Sequence, residues 1–211
     1  MTQNNSDRKI DVLILSAGKG TRTKTIFPNT PKALIEYNGN KAIESVLTPF
    51  KDTEIYRISL NIRKDEIDSF KEFGFNTFVE DIPLGNAGAI KMFGKSLSDP
   101  FLVSHNDIYL PNIDAAKLYI AHLQNDSFLT MSVTNVGKDK ERGIIVKKYN
   151  KVLGFTRERW INCGLYCVSH KVFEFIEDGF QDIDTHLLPR LSAVHQLTCY
   201  EYNGFYEDWG R

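Results

Sequence analysis

A glycine turn flanked by two cations follows the first apolar run of this chain. In the stretch Leu13 to Ile35, LILSAGKGTRTKTIFPNTPKALI, apolar residues give way to Ser16, Ala17, Gly18 and Gly20. Small residues at that point let main-chain N–H groups close on a phosphate. Arg22 can grip such a group through paired hydrogen bonds, and Pro31 sets Lys32 at the far end of the same loop as a second positive charge. The arrangement reads as a polyphosphate cradle, although a plain strand-to-loop turn with solvated cations uses the same residue types. It is not a P-loop, because Gly18-Lys19 is followed by Gly20 and the earlier glycine is missing. Nor is it the dinucleotide fingerprint, since Thr23 stands where the third glycine belongs.

A second chemical feature is Phe101-Leu-Val-Ser-His-Asn-Asp107, a buried-strand pattern running into an aspartate. That geometry suits a metal ligand at the edge of a sheet, while strand-end aspartates also serve as turn formers. His105 reads as a packing residue. No convincing Ser/His/Asp or Cys/His set is present. Cys163, Cys167 and Cys199 form no CxxC pair and read as buried free thiols, which fits a reducing cytoplasm.

The elements that must position these groups follow from periodicity. Ile10–Ser16 reads as a fully buried strand, Lys41–Thr48 as a helix, and Ile55–Ile62 as a strand. Lys64–Phe73 reads as an amphipathic helix closed by Gly74, followed by a strand at Asn76–Val79 and a helix at Gly85–Phe93. Phe101–Ser104 and Phe128–Thr134 are strands on either side of a helix with Ile113, Ala116, Ile120 and Leu123 at helical spacing. This alternation implies an α/β, doubly wound, mostly parallel sheet with helices on both faces. The remainder changes character. Gly143–Val146 and Lys151–Phe155 form a hairpin pattern, Ile161–Val168 adds a strand, and short helices precede a last strand at Leu197–Tyr202.

Composition is that of an ordinary globular protein. The 211 residues are 42% hydrophobic and 25% charged, with a formal net charge of −1. Charge is spread along the chain, so neither a nucleic-acid arm nor a membrane-binding basic stripe is present, and no apolar run is long enough to span a bilayer. The polar start MTQNNSDRK lacks the apolar core of a secretory signal and reads as a loose tail over 1–9. The expected organisation is one domain over 10–211, with a nucleotide part at about 10–135 and a smaller, substrate-side β subregion at about 136–211.

Gly18-x-Gly20-Thr21-Arg22 with distant Pro31-Lys32 resembles the signature of the sugar-1-phosphate nucleotidyltransferases, in particular the minimal guanylyltransferases acting on mannose or heptose 1-phosphate. The resemblance runs from about Val12 to the last residue. Glu80-Asp-Ile-Pro-Leu-Gly85-Asn86-Ala-Gly88 is similar to the family segment that lies against base and ribose, with Asn86 in place of threonine. On the residues alone it reads as a helix N-terminus capped by Asn86. Asn106 replaces the family's glycine before Asp107. Tyr206-Glu-Asp208-Trp-Gly210 resembles the family's Asp-x-Gly motif, and relatives generally continue some residues past it.

The resemblance implies a Rossmann-like fold of the nucleotide-diphospho-sugar transferase type and a cytoplasmic enzyme. Leu15, Ala17, Gly18, Gly20, Thr21, Arg22, Lys32, Glu80, Gly85, Asn86, Gly88 and Asn106 would bind the nucleotide. Asp107 and Asp208 would hold Mg²⁺. Gly143, Asn162 and the pair Glu158-Arg159, standing for the family's Glu-Lys, would bind the acceptor. Asp184 lies where the family often has an acidic residue, though it reads first as a helix N-cap. The partners implied are an NTP and a sugar 1-phosphate, with no nucleic acid or membrane, and a homodimer is one assembly the resemblance allows. In-line attack of the acceptor phosphate on the α-phosphorus would release pyrophosphate, with Arg22, Lys32, Asp107 and Asp208 as the catalytic set. Guanylyl transfer is favoured. Cytidylyl transfer to a non-sugar phosphate such as choline phosphate, or a non-catalytic nucleotide-sugar-binding protein, are the rivals.

Overall fold

Ile10–Leu15 (β1) is buried along its whole length. Leu13 and Leu15 nevertheless enter one apolar cluster while Val12 and Ile14 enter another. Successive Cβ atoms of a strand point to opposite faces, so a strand apolar at every position needs cover on both sides. The computed structural model describes residues 9–18, 20, 25–27, 30–37, 39–135, 144–148, 150–156 and 160–209. Thr21, Arg22, Gly143, Glu158 and Arg159, which the sequence marks as site residues, lie outside them, as does most of the N-terminal tail.

The strands that follow are β2 (Glu36–Tyr37), β3 (Asn40–Lys41), β4 (Ile55–Arg63), β5 (Asn76–Glu80), β6 (Phe101–His105) and β7 (Ile108–Tyr109). Then come β8 (Leu129–Asn135), β9 (Ile144–Lys148), β10 (Lys151–Thr156), β11 (Trp160–Val168), β12 (Leu197–Glu201) and β13 (Glu207–Asp208). Nine of them make one sheet in the order β5-β4-β1-β6-β11-β8-β12-β10-β9. β5, β4, β1 and β6 run parallel. β11 enters antiparallel between β6 and β8, and β12 lies parallel to β8. Strands from late in the chain thus interleave with earlier ones. The β9–β10 hairpin expected from the sequence forms the far edge.

The Gly85–Gly94 and Leu188–Ala193 helices cover the face of Leu13, and the Ala42–Val46 and Ala115–Gln124 helices cover the face of Val12. The fold is therefore α/β, doubly wound and mostly parallel, with β10 and β11 running against the other seven strands of the sheet. Among the described residues no helix is long and apolar enough to cross a membrane. Cys163, Cys167 and Cys199 are buried and form no disulfide.

Two local expectations need correction. Lys64–Phe73 is one α-turn, Ile67–Phe70, between two 3-10 turns, closed by Gly74 at φ 65°. Only Glu66 and Phe70 are buried there, and without a longer packed face a continuous short helix is marginal. In the Ala115–Gln124 helix the buried face is Ala115, Leu118, Tyr119 and His122, whereas Ile120 and Leu123 are exposed. Apolar residues occur on both sides of this helix, so spacing selects the wrong stripe.

His122 sits in a polar knot inside the core. Its Nδ1 is 2.9 Å from Thr130 Oγ1, which is 2.7 Å from Thr198 Oγ1, which in turn is 2.9 Å from Ser127 Oγ. Burial lowers the His122 pKa to about 4 from its usual 6.5. The unfolded chain therefore binds a proton between pH 6.5 and 4 that the folded chain refuses, and stability falls with pH across that window. A shift of this size corresponds to about 3 kcal/mol. Urea midpoints from pH 7 to 4 for the native chain and His122→Gln check this: the native curve should fall more steeply.

Candidate active site

The parallel strands end together, and their carboxyl ends are where a doubly wound sheet binds ligands. β1 runs out at Ser16, whose N–H donates to Asn61 O (2.9 Å) in β4. Gly20 takes φ 57°, a left-handed value that favours glycine, and a Cβ on Gly18 would meet nothing within 4 Å. Leu15 and Ala17 lead into this turn. Arg63, the last residue of β4, donates from Nη1 to Gly18 O at 3.1 Å. The same guanidinium is held by Asp65 (2.9 Å) and the buried Glu66 (2.7 Å).

Next to β1, the turn after β6 presents Asn106 and Asp107. Buried Asn106 donates to Ser16 Oγ (2.9 Å), tying the two strand ends together. Asp107 forms an ion pair with Lys32, brought over by the 3-10 turn Lys32–Leu34. Their side chains are only 16% and 18% exposed, which shields the pair from much of the solvent.

Asp208 reaches the same place from the end of the chain. β13 pairs antiparallel with β7, setting Asp208 opposite Ile108, and Trp209 N–H donates to Asp107 O at 2.8 Å. Lys32, Asp107 and Asp208 are thus gathered from three distant parts of the sequence. Tyr37 stands beside them, its pKa raised by burial and then by the Asp107 charge.

Glu80 is buried at the end of β5. Asn61 Nδ2 donates to its Oε1 (2.9 Å) and Leu84 N–H to its Oε2 (3.2 Å), and burial raises its pKa. The carboxylate so pins the turn leading into the Gly85–Gly94 helix. Asn86 is not the cap of that helix, which begins after Leu84 and has no side-chain cap. The free N–H groups of Ala87 and Gly88 instead donate to Gln181 O, at 2.9 and 3.2 Å. Gly85, at φ 72°, and Gly88 face that same segment: added Cβ atoms would stand 2.4 Å from Gln181 O and 3.1 Å from Gly179 O.

On the other side, Asn162 lies where β11 breaks register against β8. Its Nδ2 donates to Tyr166 OH (2.7 Å) and to Asp184 Oδ1 (3.0 Å), while its Oδ1 accepts from Gly164 N (3.0 Å). A Cβ on Gly164 would come 3.0 Å from Ile108, so this turn packs directly on the strand that follows Asp107. His105 packs its ring against Tyr166, at a centroid distance of 5.8 Å. Asp184 is not the helix N-cap expected from the sequence. Asp182 fills that role, accepting from Thr185 N at 3.0 Å, and leaves Asp184 to Asn162.

Sequence reasoning missed Arg63 and Gln181 as parts of this region and read Asp184 first as a helix cap. Arg63 had a signal, as a cation at the end of a strand neighbouring β1. Gln181 acts through its main chain and left none.

The MobA-like NTP transferase domain family matches residues 12–163 of the chain. A mannose-1-phosphate guanyltransferase of Yarrowia lipolytica is 30% identical over 94% of this chain and 60% of its own length. The chain spans about 60% of the curated relatives it matches. In three dimensions it resembles HddC from Yersinia pseudotuberculosis, solved in complex with GMP-PN. That likeness has a TM-score of 0.80 and 24% identity, covering 96% of this chain and 94% of the other. The inositol-1-phosphate CTP transferase of T. maritima shares the fold at TM-score 0.76 and 13% identity, covering 95% and 89%.

Proposed function

Because the chain belongs to the MobA-like NTP transferase domain family, we propose that it transfers a nucleotidyl group from an NTP to a sugar 1-phosphate, giving an NDP-sugar and pyrophosphate. Guanylyl transfer to mannose or heptose 1-phosphate is the favoured form, by likeness to the curated guanyltransferases. The observation that carries the reading is the gathering of Lys32, Asp107 and Asp208 at the carboxyl ends of the parallel strands.

In this reaction a phosphate oxygen of the acceptor attacks the α-phosphorus in line. A new P–O bond forms as the bond to the bridging oxygen breaks, and pyrophosphate leaves with the electron pair. The acceptor phosphate is already largely ionised near neutral pH, its second pKa being roughly 6, so no general base is needed. Positioning and charge neutralisation supply the catalysis. Lys32 neutralises charge around the α-phosphate. Arg22, outside the described residues, is assigned to the departing pyrophosphate.

The donor set fits Mg²⁺. Asp107 and Asp208 lie on neighbouring main-chain segments, and a cation, the Lys32 ammonium, already sits on Asp107. Mg²⁺ commonly takes one or two carboxylates and fills its shell with phosphate oxygens and water. Held by Asp107 and Asp208, it would neutralise phosphate charge on both substrates.

Asn162, with Asp184 behind it, is assigned to the acceptor's hydroxyls, together with Gly143, Glu158 and Arg159. Asp184→Ala should raise the KM for the acceptor about tenfold, with the KM for NTP within about twofold, as expected for loss of one charge-assisted hydrogen bond. Steady-state kinetics with each substrate varied in turn check this split.

The function itself is tested by pyrophosphate release from each NTP paired with mannose, heptose, glucose and amino-sugar 1-phosphates and with choline phosphate. GTP with a hexose or heptose 1-phosphate should give the highest kcat/KM. Turnover with CTP and choline phosphate alone would replace the reading by its cytidylyl rival. Nucleotide binding without pyrophosphate release from any pair would leave a binding protein.

A further inference from the structure

Trp209 lies between two tyrosines. Its indole stacks on Tyr37 at 4.5 Å with 11° between the planes, and on Tyr109 at 5.4 Å with 17°. Each ring belongs to a segment that carries one charged group of the site. Tyr37 follows Lys32 on the same limb, Tyr109 follows Asp107, and Trp209 adjoins Asp208. Two hydrogen bonds to the main chain close the assembly: Trp209 N–H donates to Asp107 O (2.8 Å), and the Tyr37 side-chain OH donates to Trp209 O (3.4 Å).

The strand pairing alone is a weak anchor. β13 and β7 contribute two residues each, too few for a stable ladder. Offset aromatic stacks contribute about 0.5–1.5 kcal/mol each beyond the area they bury. Two such stacks on one indole give the tie that the ladder lacks.

We propose that the Tyr37–Trp209–Tyr109 sandwich is a positioning clamp that sets Asp208 against Asp107 and Lys32, with Trp209 and Tyr37 acting through the carboxylates rather than on substrate. This rests on the reading of Asp107 and Asp208 as the metal-holding pair. Without the clamp the Asp208 limb samples other positions, and a divalent ion meets one fixed carboxylate instead of two.

The test uses the full chain and compares Trp209→Ala, Trp209→Phe and Tyr37→Ala with the native protein. Mn²⁺ binding is read by electron paramagnetic resonance in the presence of a non-hydrolysable GTP analogue, and pyrophosphate release is measured in parallel. Trp209→Ala and Tyr37→Ala should weaken Mn²⁺ binding at least about tenfold and lower kcat at least about tenfold, a loss of about 1.4 kcal/mol. Affinity for the analogue without metal should stay within about threefold. Trp209→Phe keeps a flat ring and should recover most of both losses. Tyr37→Ala leaves β13 untouched, so it carries the test if Trp209→Ala does not fold.

Mn²⁺ binding and kcat within twofold of native in both alanine variants would overturn the clamp. So would equal losses in Trp209→Phe and Trp209→Ala. A native protein that binds Mn²⁺ but releases no pyrophosphate would instead sink the proposed reaction, while the metal measurements still decide the clamp. A native protein that binds no Mn²⁺ would overturn both.

Discussion

Asp107→Ala and Asp208→Ala each lower kcat for pyrophosphate release by about a thousandfold or more, a loss of about 4 kcal/mol of transition-state stabilisation. The size follows from chemistry that works by charge neutralisation, in which removing one preorganised charged partner costs far more than a surface ion pair would suggest. The scaffold should survive, because main-chain bonds and the stacked rings of Trp209, Tyr37 and Tyr109, not the two carboxylates, join the segments. Trp209 N–H still meets Asp107 O, and residue 208 still lies opposite Ile108. Loss of Asp107 also strands the largely buried Lys32 ammonium, which costs roughly 1–2 kcal/mol and a Tm shift of about 2–8 °C for a domain of this size. Asp107→Asn separates the two effects: it keeps a hydrogen-bond acceptor for Lys32 but should lose as much activity as alanine. Near-normal pyrophosphate release in both alanine variants would remove the catalytic assignment, and thermal melts alongside the kinetics tell a lost site from a lost fold.

The types of residue that carry this prediction were legible in the sequence, and their meeting was legible only through the family resemblance. The strand–loop–Lys32 pattern and the strand running into Asp107 stand out because glycines, prolines and charges punctuate apolar runs. The sheet was readable for the same reason: β1, β4 and β6 appear as apolar or alternating runs of strand length. What failed concerns choices the one-dimensional pattern leaves degenerate. Asp182 and Asp184 are equally good caps by type, and only the backbone decides that Asp182 caps while Asp184 turns to Asn162. Ile120 and Leu123 share helical spacing with Ala116, yet the sheet selects the stripe of Leu118 and His122. β13, two residues long, is too short to leave a period. The aromatic sandwich joins rings that are far apart along the chain, and no local pattern marks it.

Gly85→Ala should destabilise the fold by roughly 2–5 kcal/mol, which for this chain length lowers Tm by about 4–20 °C. Two costs add. A left-handed backbone at φ 72° disfavours an L side chain by about 1–2 kcal/mol, and the new Cβ would stand 2.4 Å from Gln181 O and 2.8 Å from its carbonyl carbon. Neither atom is the end of a flexible side chain, so the main chain must move, and overpacking of that kind costs about 1–3 kcal/mol. The displaced carbonyl is also the cap of the Gly85–Gly94 helix, receiving the N–H groups of Ala87 and Gly88. The resemblance to nucleotidyltransferases would explain this glycine differently, as room for the nucleotide to approach the backbone. The two explanations predict different experiments. If packing against Gln181 requires the glycine, Gly85→Ala loses Tm first, while Asn86→Ala, next to it but not the cap, stays within about 0.5 kcal/mol. If ligand approach requires it, Gly85→Ala keeps its Tm and loses nucleotide affinity. Thermal melts with and without a GTP analogue distinguish them, and the 2.4 Å approach to a backbone oxygen favours the first.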